Sequence, residues 1–142
     1  MRRILLASHG DLAVGIHDTL KMIVGDIPHV YTLTLARDDK QAMADKAREL
    51  FSTFLPDDEI VVLTDMLGSS VNNDMVSLLP EYPRMQLLSG MNMPLVLSLA
   101  TFDESLLSTE DISELIDLAK DGVTHCNPLV FGDLDDGEDD NL

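Results

Sequence analysis

The chain has 142 residues, a formal net charge of −17 and an apolar content of 45%. This size and apolar content suit one domain with its own hydrophobic core, and two full domains are not expected. The strong negative charge repels nucleic-acid phosphates and anionic lipid headgroups, so we expect no nucleic-acid partner and favour basic proteins as partners.

Cysteine content and hydropathy indicate the compartment. The single cysteine, Cys126, cannot form an internal disulfide, and no cluster of cysteines and histidines has the spacing of a zinc site. The apolar run Ile4–Ala7 is ended by the polar residues 8–11, so it is too short for a signal peptide or a membrane helix. We therefore expect a cytoplasmic protein that needs no metal and no cofactor.

The chain begins with a strand and a helix. Ile4–Ala7 is a continuous apolar run of the kind that forms a strand buried on both faces. Apolar residues then recur at helical spacing from Leu12 to Ile23, and Gly25 stands where a left-handed C-terminal cap would end that helix.

The same alternation continues through the middle of the chain. Val30–Leu35 is rich in β-branched and aromatic residues and predicts a strand. The helix after it is entered through Asp38 and Asp39 and carries apolar residues as far as Phe54. The next units are a strand at Ile60–Thr64, a helix that carries residues 75–79 and ends before Pro80, and a strand at Met85–Leu88.

Two helices and a short strand are predicted in the last part of the domain. The first helix begins at Met93 and Pro94, because proline is tolerated in a first helical turn. The second runs from an N-cap at Ser108 to Gly122, and Val123–His125 predicts a short final strand.

Strands separated by single helices pair in parallel through right-handed crossovers. We therefore predict an α/β fold, a doubly wound three-layer sandwich whose mainly parallel sheet has the strand order 2-1-3-4. We expect the domain to span residues 1–131. The tail, residues 132–142, holds six acidic residues and no basic one, and we expect it to be disordered.

Two loops at one edge of this sheet carry side chains that suit phosphoryl chemistry. In the order 2-1-3-4 the first and third strands are neighbours, so the loops after them, residues 8–11 and 65–70, face one crevice. One loop supplies the imidazole of His9, and the other supplies the carboxylate of Asp65. A carboxylate that accepts one ring N–H fixes the tautomer and leaves the other ring nitrogen free as a nucleophile.

Small residues beside this pair are suited to hold an anion attached to His9. The backbone N–H groups of the helix that starts near Ser69 and Ser70, together with both hydroxyls, can bind the oxygens of such an anion. Gly10 and Gly68 allow the backbone to approach closely. A nucleophilic histidine beside an anion site predicts transient phosphoryl transfer.

Three motifs, in this order, resemble the mannose-family IIA component of the bacterial phosphoenolpyruvate-dependent sugar phosphotransferase system (PTS). They are the strand-tip sequence Ala7–Ala13 followed by Gly15, the loop Asp65–Ser70 followed by Asn72 or Asn73, and the loop Gly90–Leu95. The similarity spans residues 3–125.

The resemblance implies a role for each residue of the pair. His9 would accept a phosphoryl group from the phosphohistidine of the small carrier HPr and pass it to a IIB component, which serves the membrane subunits IIC and IID. Asp65 would orient and charge-stabilise His9, and Ser70 would hydrogen-bond the phosphoryl oxygens. The family often has a hydroxyl residue directly after the aspartate, where this chain has Met66. The sequence therefore leaves open whether Ser69 shares or takes over the role of Ser70.

The resemblance also implies an assembly. Members of the family are commonly homodimers that exchange a C-terminal strand, which would put residues 123–125 and 129–131 at an interface. The IIB component would be a separate chain.

Other functions stay open at this point. A regulatory phosphoacceptor of the same fold would use the same histidine without sugar transport, and a phosphocarrier for dihydroxyacetone kinase belongs to the same family, although Gly90–Leu95 fits the sugar branch better. A response-regulator receiver also has an aspartate after its third strand, but its magnesium site needs clustered carboxylates where this chain has His9. A serine hydrolase would use Ser8 or Ser69, but the chain lacks a Gly-x-Ser-x-Gly elbow.

Overall fold

The computed structural model of the chain describes residues 1–132, so most of the predicted acidic tail lies outside the described residues. The strands are β1 (Arg2–His9), β2 (Val30–Leu35), β3 (Glu59–Thr64) and β4 (Gln86–Ser89). The helices are α1 (Leu12–Val24), α2 (Met43–Phe51), α3 (Ser70–Leu78), α4 (Met93–Ala100), α5 (Thr109–Asp121) and α6 (Asn127–Phe131).

The four strands form one parallel sheet in the order β2-β1-β3-β4, which confirms the predicted strand order. The register pairs Ala7 of β1 with Thr64 of β3, and His9 of β1 with Leu35 of β2. Because β1 and β3 run side by side in the same direction, His9 and Asp65 leave the sheet at the same edge.

Helices cover both faces of the sheet, which confirms the predicted three layers. Successive strand residues point to opposite faces, so Ile4 and Leu6 pack with α1, α4 and α5, whereas Leu5 and Ala7 pack with α2 and α3. These strand side chains are almost completely buried. Within residues 1–132, none of the helices is long and apolar enough to cross a membrane.

The ends of several helices follow the predicted chemistry. Ser108 caps α5 and forms a reciprocal capping box with Asp111, in which each side chain accepts the other residue's backbone N–H. Pro94 lies in the first turn of α4. Gly25 ends α1 as predicted, but its φ of 83° and ψ of −172° differ from the left-handed helical conformation that was expected.

The predicted entry to α2 through Asp38 and Asp39 is wrong, because the helix begins only at Met43. The Asp39 carboxylate accepts the backbone N–H of Ala36 and forms an ion pair with Lys46, so it shapes the loop before the helix instead of capping it. The helix also ends at Phe51, three residues earlier than predicted.

The predicted strand at Val123–His125 is also wrong, since these residues connect α5 to α6. The Val123 N–H donates to the Lys120 carbonyl at 3.1 Å, which continues the helical bonding of α5. Pro128 then lies in the first turn of α6, where its fixed φ and missing N–H favour a helix start over a strand.

The beginnings of β1 and β3 are fastened together by Asp58. Its carboxylate accepts the Leu55 N–H at 2.9 Å and the Arg3 Nε–H at 2.9 Å. The Leu55 N–H and the Arg3 guanidinium outweigh desolvation and lower the pKa of Asp58 to about 2, from 3.8 for the free side chain.

We expect the substitution Asp58→Asn to lower the free energy of unfolding at neutral pH. Because the folded pKa is depressed, the contribution of Asp58 is fully present above pH 3.8 and is lost as the pH falls towards about 2. Thermal unfolding at a series of pH values should show the gap between wild type and variant closing in that window. Asp57→Asn, at the exposed neighbouring carboxylate, is the control, and an equal loss in both variants at every pH would contradict the role of Asp58.

Candidate active site

The structure brings His9 and Asp65 into direct contact. His9 is the last residue of β1, and Asp65 follows directly after β3. The ring Nδ1 of His9 lies 2.7 Å from Oδ2 of Asp65, and the backbone N–H of His9 donates to the same oxygen at 2.9 Å. The imidazole is 48% exposed, whereas the carboxylate side chain is only 12% exposed.

The hydrogen bonds assign the tautomer of the His9 ring. Burial acts to raise the pKa of Asp65, but the N–H and O–H donors of His9, Ser69 and Met66 together lower it. The carboxylate is therefore ionised at neutral pH and can only accept, so Nδ1 carries the ring proton and donates it to Asp65. This leaves the lone pair of Nε2 free, and the hydroxyl of Ser70 donates to it across 2.8 Å.

The two serines of the loop have different partners. Ser70, the first residue of α3, contacts Nε2 of His9. Ser69, the N-cap of α3, donates its hydroxyl to Oδ1 of Asp65 at 2.8 Å and accepts the backbone N–H of Asn72 at 3.1 Å. The structure thus brings both serines to the site, one at the ring and the other at the carboxylate.

The two glycines predicted to bind a phosphoryl group lie at the site but use their N–H groups within the protein. Gly10, with a φ of 54°, donates its N–H to the Leu35 carbonyl at 3.0 Å. Gly68, with a φ of 83°, donates its N–H to Oδ1 of Asn72 at 3.1 Å. Their positive φ angles turn the chain sharply after each strand, and their binding of phosphate stays a prediction.

A buried polar pair beneath the loop was not predicted from the sequence. Asn72 donates its side-chain N–H to the hydroxyl of Thr64 at 2.8 Å and accepts the N–H of Gly68. Both Thr64 and Asn72 are buried, so the bond between them satisfies the Thr64 hydroxyl oxygen and the Asn72 side-chain N–H away from water. The only signal in the sequence is an amide at position 72, on the face of α3 that also carries the buried Met75.

Ser8 serves the structure beside the site and not as an exposed nucleophile. Its hydroxyl is buried and accepts the N–H of Ala13 at 2.9 Å, which satisfies a donor in the first turn of α1. Asp11 occupies the N-cap position of the same helix without a side-chain hydrogen bond to it.

Comparisons with known proteins point to one family. A family model described as PTS system fructose IIA component matches residues 3–116. A PTS system fructose-specific EIIA component from Bacillus subtilis is 20% identical over 128 residues, which cover 89% of this chain and 88% of that protein.

Two solved structures share the fold over nearly the whole chain. One, from Klebsiella pneumoniae, is described as a proposed phosphoenolpyruvate-dependent sugar PTS permease; it is 32% identical, with a TM-score of 0.78 over 91% of this chain and 93% of that one. The other is a PTS IIA protein associated with the fucose utilization operon of Streptococcus pneumoniae; it is 27% identical, with a TM-score of 0.80 over 91% of this chain and 96% of that one.

We expect Asn72→Ala to lower the free energy of unfolding by about 2 kcal/mol, because it leaves the buried Thr64 hydroxyl without its partner and removes the side-chain acceptor of the Gly68 N–H. Chemical denaturation measures this change. Asn73→Ala removes an exposed amide that makes one long contact, 3.3 Å to the Gly68 carbonyl, and should cost much less. Equal losses for the two variants would mean that the buried amide has no special part in holding the loop.

Proposed function

The chain belongs to the family of fructose IIA components of the PTS, and we propose that it carries a phosphoryl group on Nε2 of His9. In this proposal the group comes from the phosphohistidine of HPr and passes to a IIB component during sugar uptake. The observation that carries the proposal is the pair of contacts on one imidazole, with Asp65 on Nδ1 at 2.7 Å and Ser70 on Nε2 at 2.8 Å.

The transfer step uses the lone pair of Nε2. This nitrogen attacks the phosphorus of the donor phosphohistidine, so that a new N–P bond forms while the donor's N–P bond breaks. The donor nitrogen leaves with the electron pair of that bond. The proton on Nδ1 stays in place, so the phosphorylated His9 ring carries a positive charge next to the ionised Asp65. A fixed negative charge at that position stabilises the transition state as the ring charge develops.

Ser70 changes its hydrogen-bond acceptor during this step. Before transfer its hydroxyl donates to Nε2. After transfer Nε2 no longer has a free lone pair, and the hydroxyl lies beside the new phosphoryl group, where it can donate to one of the oxygens. Helix α3 begins at Ser70, and the positive end of its dipole attracts the negatively charged phosphoryl oxygens.

The surface around His9 supports a protein as the phosphoryl donor. Half of the imidazole is open to solvent, and Met66 and Leu67 next to Asp65 are 63% and 77% exposed. Exposed apolar side chains around a polar centre are typical of a surface that contacts another protein. A cavity of about 560 Å³ lies at the other end of the strands, where β3 and β4 begin, and is not part of this site. Residues such as Phe51, Tyr82 and Leu107 line it.

We also propose that the protein works in the cytoplasm as a homodimer. The strand β4 is at the end of the sheet and pairs only with β3 among the described strands, so its other edge can accept a strand from a second copy. Leu129, Val130 and Phe131 of α6 are all largely exposed, which supports an interface that includes this segment.

We expect the protein to take one phosphate on His9 when it is incubated with phosphoenolpyruvate, the first enzyme of the system and HPr. Mass spectrometry at neutral pH should locate an acid-labile phosphate at this residue. His9→Gln should take none. His125→Gln changes an exposed histidine that is far from His9 in the sequence, and this variant should be labelled like wild type.

Equal labelling of His9→Gln, or phosphate on Asp65, would contradict the proposal. An acid-stable adduct on Ser70 would instead favour a serine nucleophile. That second candidate is suggested by the 2.8 Å distance between the Ser70 hydroxyl and Nε2, since the same three side chains match a Ser-His-Asp arrangement.

We expect Asp65→Asn to slow phosphoryl transfer by about 10- to 100-fold, because it keeps the side-chain volume but removes a charge-assisted hydrogen bond. Rapid-quench measurement of His9 phosphorylation tests this. Asp11→Asn is the matched control: its exposed carboxylate is close to His9 in sequence but makes no hydrogen bond to the ring. A wild-type rate in Asp65→Asn, or the same loss in both variants, would remove Asp65 from the mechanism.

A further inference from the structure

We propose that Ser69 is a positioning residue that holds the Asp65 carboxylate in the orientation His9 needs. This inference rests on the proposed carrier function and deepens it, because it gives the two neighbouring serines separate tasks. Ser70 faces the atom that reacts, and Ser69 faces the carboxylate that orients the ring.

The two oxygens of Asp65 are held by two separate sets of donors. Oδ2 accepts the backbone N–H and the ring Nδ1–H of His9. Oδ1 accepts the Ser69 hydroxyl at 2.8 Å and the Met66 N–H at 2.8 Å. A carboxylate with two donors on each oxygen has little freedom to rotate about its Cβ–Cγ bond, so Oδ2 stays directed at the imidazole. Loss of the Ser69 hydroxyl would leave Oδ1 with the Met66 N–H alone and so loosen the carboxylate. Among the described residues, Ser69 is the side chain that donates to Oδ1.

The hydrogen-bonding capacity of Ser69 suits this task better than phosphate binding. A serine hydroxyl has a single proton to donate, and in Ser69 that proton goes to Asp65. Its oxygen also accepts the Asn72 N–H. Ser69 would therefore have to release Asp65 before it could donate to a phosphoryl oxygen, whereas Ser70 needs only to turn from Nε2 to the group attached there.

The backbone around Ser69 is itself held in place. The Ser69 N–H donates to the Met66 carbonyl at 3.2 Å, closing the turn that contains Gly68. The side chain of Asn72 connects that turn to Thr64 at the end of β3. The hydroxyl is thus fixed relative to the strand that precedes Asp65, which a positioning role requires.

Removal of the Ser69 hydroxyl also removes the N-cap of α3, so the test has to separate the two effects. Three substitutions do this. Ser69→Ala removes both the cap and the bond to Asp65, Ser69→Gly removes the bond but remains an acceptable N-cap residue, and Ser69→Thr keeps a hydroxyl. Ser108→Ala is the matched control, because it removes a serine N-cap from α5, which lies outside the site.

We expect Ser69→Ala and Ser69→Gly to slow the phosphorylation of His9 by about tenfold, the loss that corresponds to one hydrogen bond to a charged group. Ser69→Thr should retain most of the rate. Ser108→Ala should lower the melting temperature but transfer phosphate at the wild-type rate. Wild-type transfer by Ser69→Gly would overturn the inference.

A double-mutant cycle with Asp65→Asn identifies the path of the effect. If Ser69 acts through the carboxylate, Ser69→Ala should cause little further slowing in the Asp65→Asn background. If Ser69 binds the phosphoryl group directly, the two losses should multiply, and the positioning role would be wrong.

The ¹⁵N resonances of the His9 ring provide a readout that requires no phosphoryl transfer. In wild type the neutral form of the ring should carry its proton on Nδ1, whereas in Ser69→Ala it should be a mixture of the two tautomers, with Ser108→Ala like wild type. An unaltered tautomer in Ser69→Ala would refute the inference. If wild type takes no phosphate on His9, the carrier function fails, and the ring resonances still decide whether Ser69 positions Asp65.

Discussion

The Asp65 carboxylate fastens the ends of two strands to each other. It accepts hydrogen bonds from the backbone and ring of His9, from the Met66 N–H and from the Ser69 hydroxyl, while most of its surface is hidden from water. A carboxylate taken out of water is costly unless its oxygens find donors, and here all the donors belong to the site. The hydrogen bonds that stabilise this buried charge therefore also fix the orientation of the imidazole.

The parallel sheet supplies the rigid frame for this contact. Ala7 and Thr64 are paired in register, and the residues after them separate from the sheet at the same level. The strand interiors are buried on both faces, so neither strand can slide along the other without exposing its apolar side chains. The distance between imidazole and carboxylate is thus maintained by packing in the core and not by the loops alone, which suits the proposed transfer between proteins at an exposed imidazole.

Periodicity located the strands and helices, and their alternation indicated a doubly wound fold, for which the order 2-1-3-4 is common. The His9–Asp65 pair then follows from the way neighbouring parallel strands end at the same level. Sequence patterns did not distinguish the two serines. Ser69 and Ser70 are adjacent at the start of α3, yet one hydroxyl contacts the Asp65 carboxylate and the other contacts the His9 ring. The preceding turn decides which serine faces which group, and it is held by Asn72, a buried amide that hydrophobic periodicity does not identify. The final strand was predicted wrongly because Val123–His125 has a strand-like composition, whereas Pro128 and the helical bonding after α5 favour a helical continuation.

The imidazole and its carboxylate are 56 positions apart in the chain, and they meet only when β1 and β3 are paired. Neither the first strand-helix unit alone nor a loosely collapsed chain can assemble the pair. Under the proposed function, the ability to carry phosphate therefore arises only together with the long-range order of the sheet, so that an immature or partly denatured molecule would accept no phosphate from the donor.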